Sequence, residues 1–327
     1  MKRNWTVPAA LILAGFMCLP RPGVAAAAKE KGPVMTKRER LIQDNLARHV
    51  RMLSDQIGDR RTARYAQLRQ AELYITGQMQ TVGLRLETQE YIAGGFAVRN
   101  LFARIPGTDG YLPKWIVGAH YDTCDNPGAD DNASAVAGLI EAARLLVREK
   151  LRRSLEIVFF VNEEPPYFQT REMGSRVYLE RAKENGKRIE GAIILEMIGY
   201  FDPKPGSQKY PVPLGRFLPD TGDFLAVVGN FQSRPLAETF ARGFREGTDL
   251  KVIPFAEDLP WIEELTWSDH ASFWREKIPA VMLTDTSFHR NPNYHTGRDT
   301  WDTLDYNSLR RAVLGLAAAI RTVCNEM

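Results

Sequence analysis

The chain has 327 residues, 44% hydrophobic and 25% charged, with a formal net charge of +3. This is an ordinary globular composition, long enough for one large domain or two small ones, and nothing in it marks out a nucleic-acid-binding surface. The N-terminus stands apart. Lys2 and Arg3 precede an apolar stretch, Val7 to Cys18, too short for a comfortable membrane span, and Ala25 to Ala28 supply small residues for cleavage. We read residues 1–28 as a signal peptide, 29–35 as a flexible tether and 36–327 as the folded domain. An uncleaved anchor and lipidation at Cys18 are the competing readings, and bulky Phe16 and Met17 argue against the second. Cleavage removes Lys2, Arg3 and Arg21 and no acidic residue, so the positive charge belongs to the leader. The expectation is an exported protein, periplasmic or secreted, with no stable membrane insertion once the leader is gone. Its oligomeric state is left open. Cys124 and Cys324 remain, which is one possible pair rather than a disulfide framework, and two free thiols are the preferred reading.

In the domain, Thr36 and Glu39 have capping-box spacing ahead of Ile42, Leu46, Val50 and Leu53 at helical period. His49 on this helix reads as a surface residue. Asp59 to Arg64 is a polar, arginine-rich break. A second helix carries Leu68, Ala71, Ile75 and Met79 on one face and stops near Gly83. Strands at 84–92 and 98–105 flank a Gly94-Gly95 turn. Trp115 to Ala119 is a buried strand, and Val136, Leu139, Ile140, Ala143 and Leu146 form the helix after it. Leu155 to Val161 is another buried strand, followed by a helix over 174–182 and a strand over 192–195. Residues 201–222, rich in Pro and Gly, read as a surface excursion near the site. Strands at 225–228, 251–254 and 280–283 and helices at 236–244 and 309–323 complete the chain. Strands alternating with helices imply a single-domain α/β fold, with a mostly parallel or mixed central sheet and helices on both faces.

Polar residues collect where these strands end. His120 and Asp122 follow the first buried strand, with Asp130 and Asp131 beyond a Pro-Gly turn. Glu163 and Glu164 follow the second strand and precede Pro165-Pro166, and Glu196 closes the third. Ligands in open α/β sheets gather beyond the carboxyl ends of strands. With His295, the set offers two imidazoles and the carboxylates Asp130, Glu164 and Glu196. That is more than the roughly three protein ligands of one catalytic zinc. It suits two ions sharing a carboxylate, and Asp130, central in its motif, is the expected bridge, with His120 and Glu196 on one ion and Glu164 and His295 on the other. Glu163 is left free to act as general base, and Asp122 can accept the second N–H of His120 and fix its tautomer.

These residues resemble the M28 zinc aminopeptidases. The likeness covers GAHYDT, PGADDNASAVAGL, FFVNEEPP with the later MGS, LEMIGY, SDHASFW with IPAVMLTDT, and YHTGRDTWDTLDY, in the family's order over about residues 116–306. It implies a zinc-dependent exopeptidase fold and two Zn2+ per chain. The metal positions would be His120, Asp130 (bridging), Glu164, Glu196 and His295, and the general base Glu163. It also implies a cis peptide at Asp130–Asp131, a packing role for Asp269 and His270 beneath the site, and peptide substrates with a free N-terminus. Three positions depart from the pattern: Ala135 stands where Gly is common, Glu196 where Asp is common, and Cys124 is unusual after HYDT. The alternatives are a glutaminyl cyclase-like acyltransferase and a non-catalytic binding protein on a peptidase fold. The sequence points to no convincing oxyanion donor. Tyr200 and Trp267 read as parts of an aromatic wall, and segments 201–222, 255–267 and 286–294 as the walls of the pocket.

Overall fold

The computed structural model describes residues 35–211 and 214–327. The expected leader and nearly all of the tether lie outside them. Lys37–Met327 form one compact unit. Its centre is an eight-stranded sheet built from β1 (Glu87–Ala93), β2 (Phe96–Ile105), β3 (Lys114–His120), β4 (Leu155–Phe160), β5 (Ile189–Glu196), β6 (Phe224–Gly229), β7 (Lys251–Ala256) and β8 (Ala280–Thr284). The strand order is β1-β2-β4-β3-β5-β8-β6-β7. β4, β3, β5 and β8 run parallel to one another, as do β6 and β7. β1 and β2 form the expected hairpin, β2 is antiparallel to β4, and β6 is antiparallel to β8. The sheet is therefore mixed, and four parallel strands end at one edge.

The alternation of side chains along each strand builds two different layers. Val117 and Ala119 of β3, with Ile193 and Leu195 of β5, face a large core that also holds apolar residues of α1 (Lys37–Arg51), α2 (Tyr65–Val82), α3 (Ala135–Leu146), α5 (Arg234–Gly247) and α7 (Tyr306–Glu326). Their neighbours Ile116, Ala192 and Ile194 face a smaller core with α4 (Gly174–Glu184) and α6 (His270–Arg275). Helix α2 ends as expected, with Gly83 in the left-handed conformation at φ +96.

His49 corrects the sequence reading. Helix α1 packs on both α3 and α7, so its Ile42–Leu46–Val50 stripe turns inward and takes His49 with it. The buried imidazole meets Tyr74 Oη at 2.7 Å and Glu141 Oε1 at 3.3 Å. Both described thiols, Cys124 and Cys324, are free. None of the described helices is long and apolar enough to cross a membrane.

On the same face as α4 and α6, no α-helix among the described residues packs over the β6–β8 end of the sheet. Phe224, Ala226, Val228 and Met282 instead pack with Tyr210, Ile253 and Leu265, contributed largely by the segments expected to wall the pocket.

Candidate metal centre

His120 closes β3 and Glu196 closes β5, so the register of parallel strands sets both side chains at the shared edge. Glu163 and Glu164 lie just past β4, after Asn162 at φ +60, and His295 lies in the loop between β8 and α7 at φ +53.

The structure places the carboxylate between the two histidines at Asp131, not at Asp130. Asp131 Oδ1 is 3.3 Å from His120 Nε2, and its Oδ2 is 3.1 Å from His295 Nε2. Asp130 points away, accepting from Gly199 N at 3.0 Å and Asn291 Nδ2 at 2.7 Å. The backbone leaves helical geometry at Asp131 (φ −103, ψ 87), so the adjacent carboxylates face opposite sides and only one reaches the cavity. The cis peptide falls at Asp131–Asn132, one bond later than the resemblance implied.

The donors fit cations. His120 Nε2 is 3.4 Å from Glu196 Oε2, and His295 Nε2 is 3.3 Å from Glu164 Oε1. Two donors each about 2.0–2.1 Å from one zinc at a tetrahedral angle stand roughly 3.3 Å apart, so every one of these spacings suits ligation. Asp131 Oδ1, Glu164 Oε1 and His295 Nε2 are buried without a hydrogen-bond partner, which a bound cation would satisfy. The residues thus divide into an inner half, His120 and Glu196, and an outer half, Glu164 and His295, with one oxygen of Asp131 toward each histidine.

Asp122 does more than face the ligand imidazole. Its Oδ1 is 3.6 Å from His120 Nδ1, beyond a hydrogen bond, while its two oxygens accept from the backbone N–H groups of Glu163 (3.2 Å) and Glu164 (3.1 Å). Asp299 does the same on the other side, accepting from the N–H groups of Asp130 (2.9 Å) and Asp131 (3.1 Å). Burial, and then the charge of Asp130, push the Asp299 carboxyl up to about 7.

Burial raises the Glu163 carboxyl well above the usual range. His120 opposes the shift, while Glu196 and Glu164 add to it. Burial and Asp131 carry Glu164 to about 8. Burial would also raise Asp131, but the His120 and His295 imidazoles beside it outweigh that and hold the carboxyl low. Burial lowers His295, yet Asp131 and Glu164 prevail and lift it to about 10.

Arg60, within what reads as a polar break, is fully buried under the site loop. It donates to the carbonyls of Leu53, Gly58, Tyr121, Pro127 and Gly128 at 2.8–3.0 Å. Gly128 sits at φ +62, where a Cβ would overlap Thr123 and the Asp131 carbonyl, so the turn requires glycine. Tyr294, also missed in the sequence, stacks on His295 with ring centres 3.7 Å apart. Burial first, and then Asp131 and Glu164, raise its phenol so that it keeps its proton. Asp269 and His270 are both fully buried. Their neighbour Ser268 donates to Glu196 Oε2 at 2.7 Å.

A cavity of about 460 Å3 opens from Asp131, Glu163, Glu164, Glu196 and His295 onto the β6–β8 end of the sheet, where Phe224, Val228, Ile253, Leu265, Trp267 and Met282 line it. Trp267 is therefore the wall residue expected. Tyr200 instead gives its N–H to Asp285 at 2.9 Å and packs its partly buried ring against the main core.

An α/β sheet with a histidine–carboxylate cluster at its parallel strand ends defines a metallohydrolase type of protein. Residues 100–320 match the model of peptidase family M28. A relative from Escherichia coli (strain K12), printed as "Uncharacterized protein YfbL", is 37% identical over 284 residues, covering 84% of this chain and 86% of its own. Leucine aminopeptidase 1 of Ajellomyces dermatitidis is 26% identical over 254 residues, covering 71% of this chain and 58% of that protein. Among solved structures, BSAP, a zinc aminopeptidase from Bacillus subtilis, superposes with a TM-score of 0.66 at 15% identity, covering 87% of this chain and 95% of its own. The chain belongs to peptidase family M28. It is a hydrolase of the metallopeptidase class.

Proposed function

We propose that the protein is a metal-dependent aminopeptidase that holds two zinc ions per chain, is exported, and cleaves the first peptide bond of substrates with a free N-terminus. The observation that carries this reading is the Asp131 carboxylate, whose two oxygens face different histidines at 3.3 and 3.1 Å, each histidine backed by its own glutamate. His120, Glu196 and Asp131 would hold one ion, and Glu164, His295 and Asp131 the other. Bound zinc supplies Lewis acidity toward the scissile carbonyl and a water acidic enough to serve as nucleophile near neutral pH.

The chain's own groups do the rest. Glu163 is a buried carboxyl with a raised proton affinity, suited to take a proton from the attacking water and return it to the leaving amine. Asp122 fixes where that carboxyl stands by accepting from the Glu163 and Glu164 amides. Tyr294 keeps its phenol proton at the cavity wall and is the candidate donor to the carbonyl oxygen. The excess of carboxylates favours a substrate bringing a positive α-ammonium group, and the apolar cavity favours a large apolar first side chain.

The test is release of aminoacyl-p-nitroanilides by metal-loaded wild type and Glu163→Gln. Glu163→Gln should keep its metal and lose roughly 10²–10⁴-fold in rate, and an N-acetylated peptide should stay uncut. An unchanged rate in the variant overturns the base assignment. Cleavage of the blocked peptide overturns the aminopeptidase reading, and so does pyroglutamate formed from N-terminal glutamine without cleavage. Export predicts a mature N-terminus at Lys29, read by terminal sequencing.

A further inference from the structure

The loop after His120 carries a thiol that peptide hydrolysis does not use. Cys124 Sγ, a Glu164 carboxylate oxygen and a His295 ring nitrogen all lie within 4.8 Å of one another. Glu164 is only 4% exposed, and neither its Oε1 nor His295 Nε2 has a hydrogen-bond partner. The thiol therefore shares its space with two unsatisfied donors of the outer half.

Its position is held from both sides. Thr123 Oγ1 accepts from Arg60 N at 2.8 Å and donates to Asp59 at 3.2 Å. On the other side Asp125 pairs with Arg61 at 2.5 Å, and Arg61 also pairs with Asp59 at 2.9 Å. The 59–61 segment thus grips both neighbours of Cys124, and buried Arg60 anchors that segment under the site loop.

We propose that Cys124 is a further side-chain ligand of the outer half, giving it a Cys–Glu–His set selective for soft divalent cations. The inference rests on the two-cation reading of the same cluster. Thiolate donors favour zinc-like and softer ions, whereas a carboxylate and an imidazole alone discriminate less. On binding, the S–H bond is lost, its proton passes to solvent and the sulfur lone pair enters the metal–sulfur bond.

The decisive measurement is the electronic spectrum of the cobalt-loaded protein, with metal content determined on the same samples. Wild type should show a thiolate-to-cobalt charge-transfer band in the near ultraviolet, and Cys124→Ser should lack it. Cadmium affinity of the outer half should fall roughly tenfold or more in Cys124→Ser. Iodoacetamide, followed by peptide mapping, should modify Cys124 faster without metal than with zinc, with buried Cys324 as the unreactive reference. A protein that binds two cobalt ions without the band overturns the thiol ligand and leaves the aminopeptidase reading standing. A protein that takes up no cobalt overturns both.

Discussion

The two halves of the candidate centre are chemically alike and mechanically different. In the inner half, His120 and Glu196 close adjacent parallel strands, are 1% and 8% exposed, and Glu196 is held by Ser268. In the outer half, Glu164 and His295 stand on loops, and the His295 side chain is 28% exposed. Strand register positions the first pair, and Ser268 adds one hydrogen bond to Glu196. The second pair depends on capping groups, Asp122 under the Glu163–Glu164 amides and Tyr294 stacked on His295. A strand end gives an inflexible ligand, while a loop end gives one whose geometry is only as good as its support.

The sharpest way to break this picture is at the residue the halves share. Asp131→Asn should lose metal from both halves, with activity falling at least as far as in Glu163→Gln. Asp130→Asn should keep both ions, because that side chain bonds Gly199 and Asn291 instead. Metal analysis of the two purified variants decides it, and the opposite pattern would restore Asp130 as the bridge. A smaller effect separates the halves from each other. Under a graded chelator titration, the exposed outer half should release its ion first, giving a plateau at one ion per chain. Loss of both ions in one step would show that burial does not rank the halves.

The same contrast explains what could be read from the sequence. His120, Glu164 and Glu196 were legible because long apolar runs ending in a polar side chain announce a strand end. The mixed sheet and the strand positions followed from the same runs. Asp130 and Asp131 could not be told apart, since two identical neighbours differ only in the backbone turn between them. Arg60 and Asp299 act through backbone groups distant in sequence, so in the sequence Arg60 reads as part of a polar break and nothing near Asp299 signals its two amide partners. His49 was misplaced because an imidazole on an apolar stripe gives no sign of Tyr74 and Glu141 waiting opposite it.

The smallest predicted effect concerns the support of the inner half and depends on pH. His270 Nε2 donates to the Leu265 carbonyl at 2.8 Å, bracing the turn that carries Ser268 to Glu196, while its Nδ1 is buried with no acceptor. Burial therefore depresses this imidazole from 6.5 to about 4. Between those values the unfolded chain binds a proton that the folded chain refuses. This contribution to stability is thus fully present above pH 6.5 and is lost as pH falls toward 4, by on the order of 3 kcal/mol at the lower end. Urea unfolding of wild type and His270→Gln at pH 7, 6 and 5 isolates it, because acid-driven changes at the metal ligands are common to both proteins. The variant should unfold with a shallower pH dependence. Equal slopes would mean that the turn under Glu196 does not sense this proton, and that the inner half owes its stability to the strands alone.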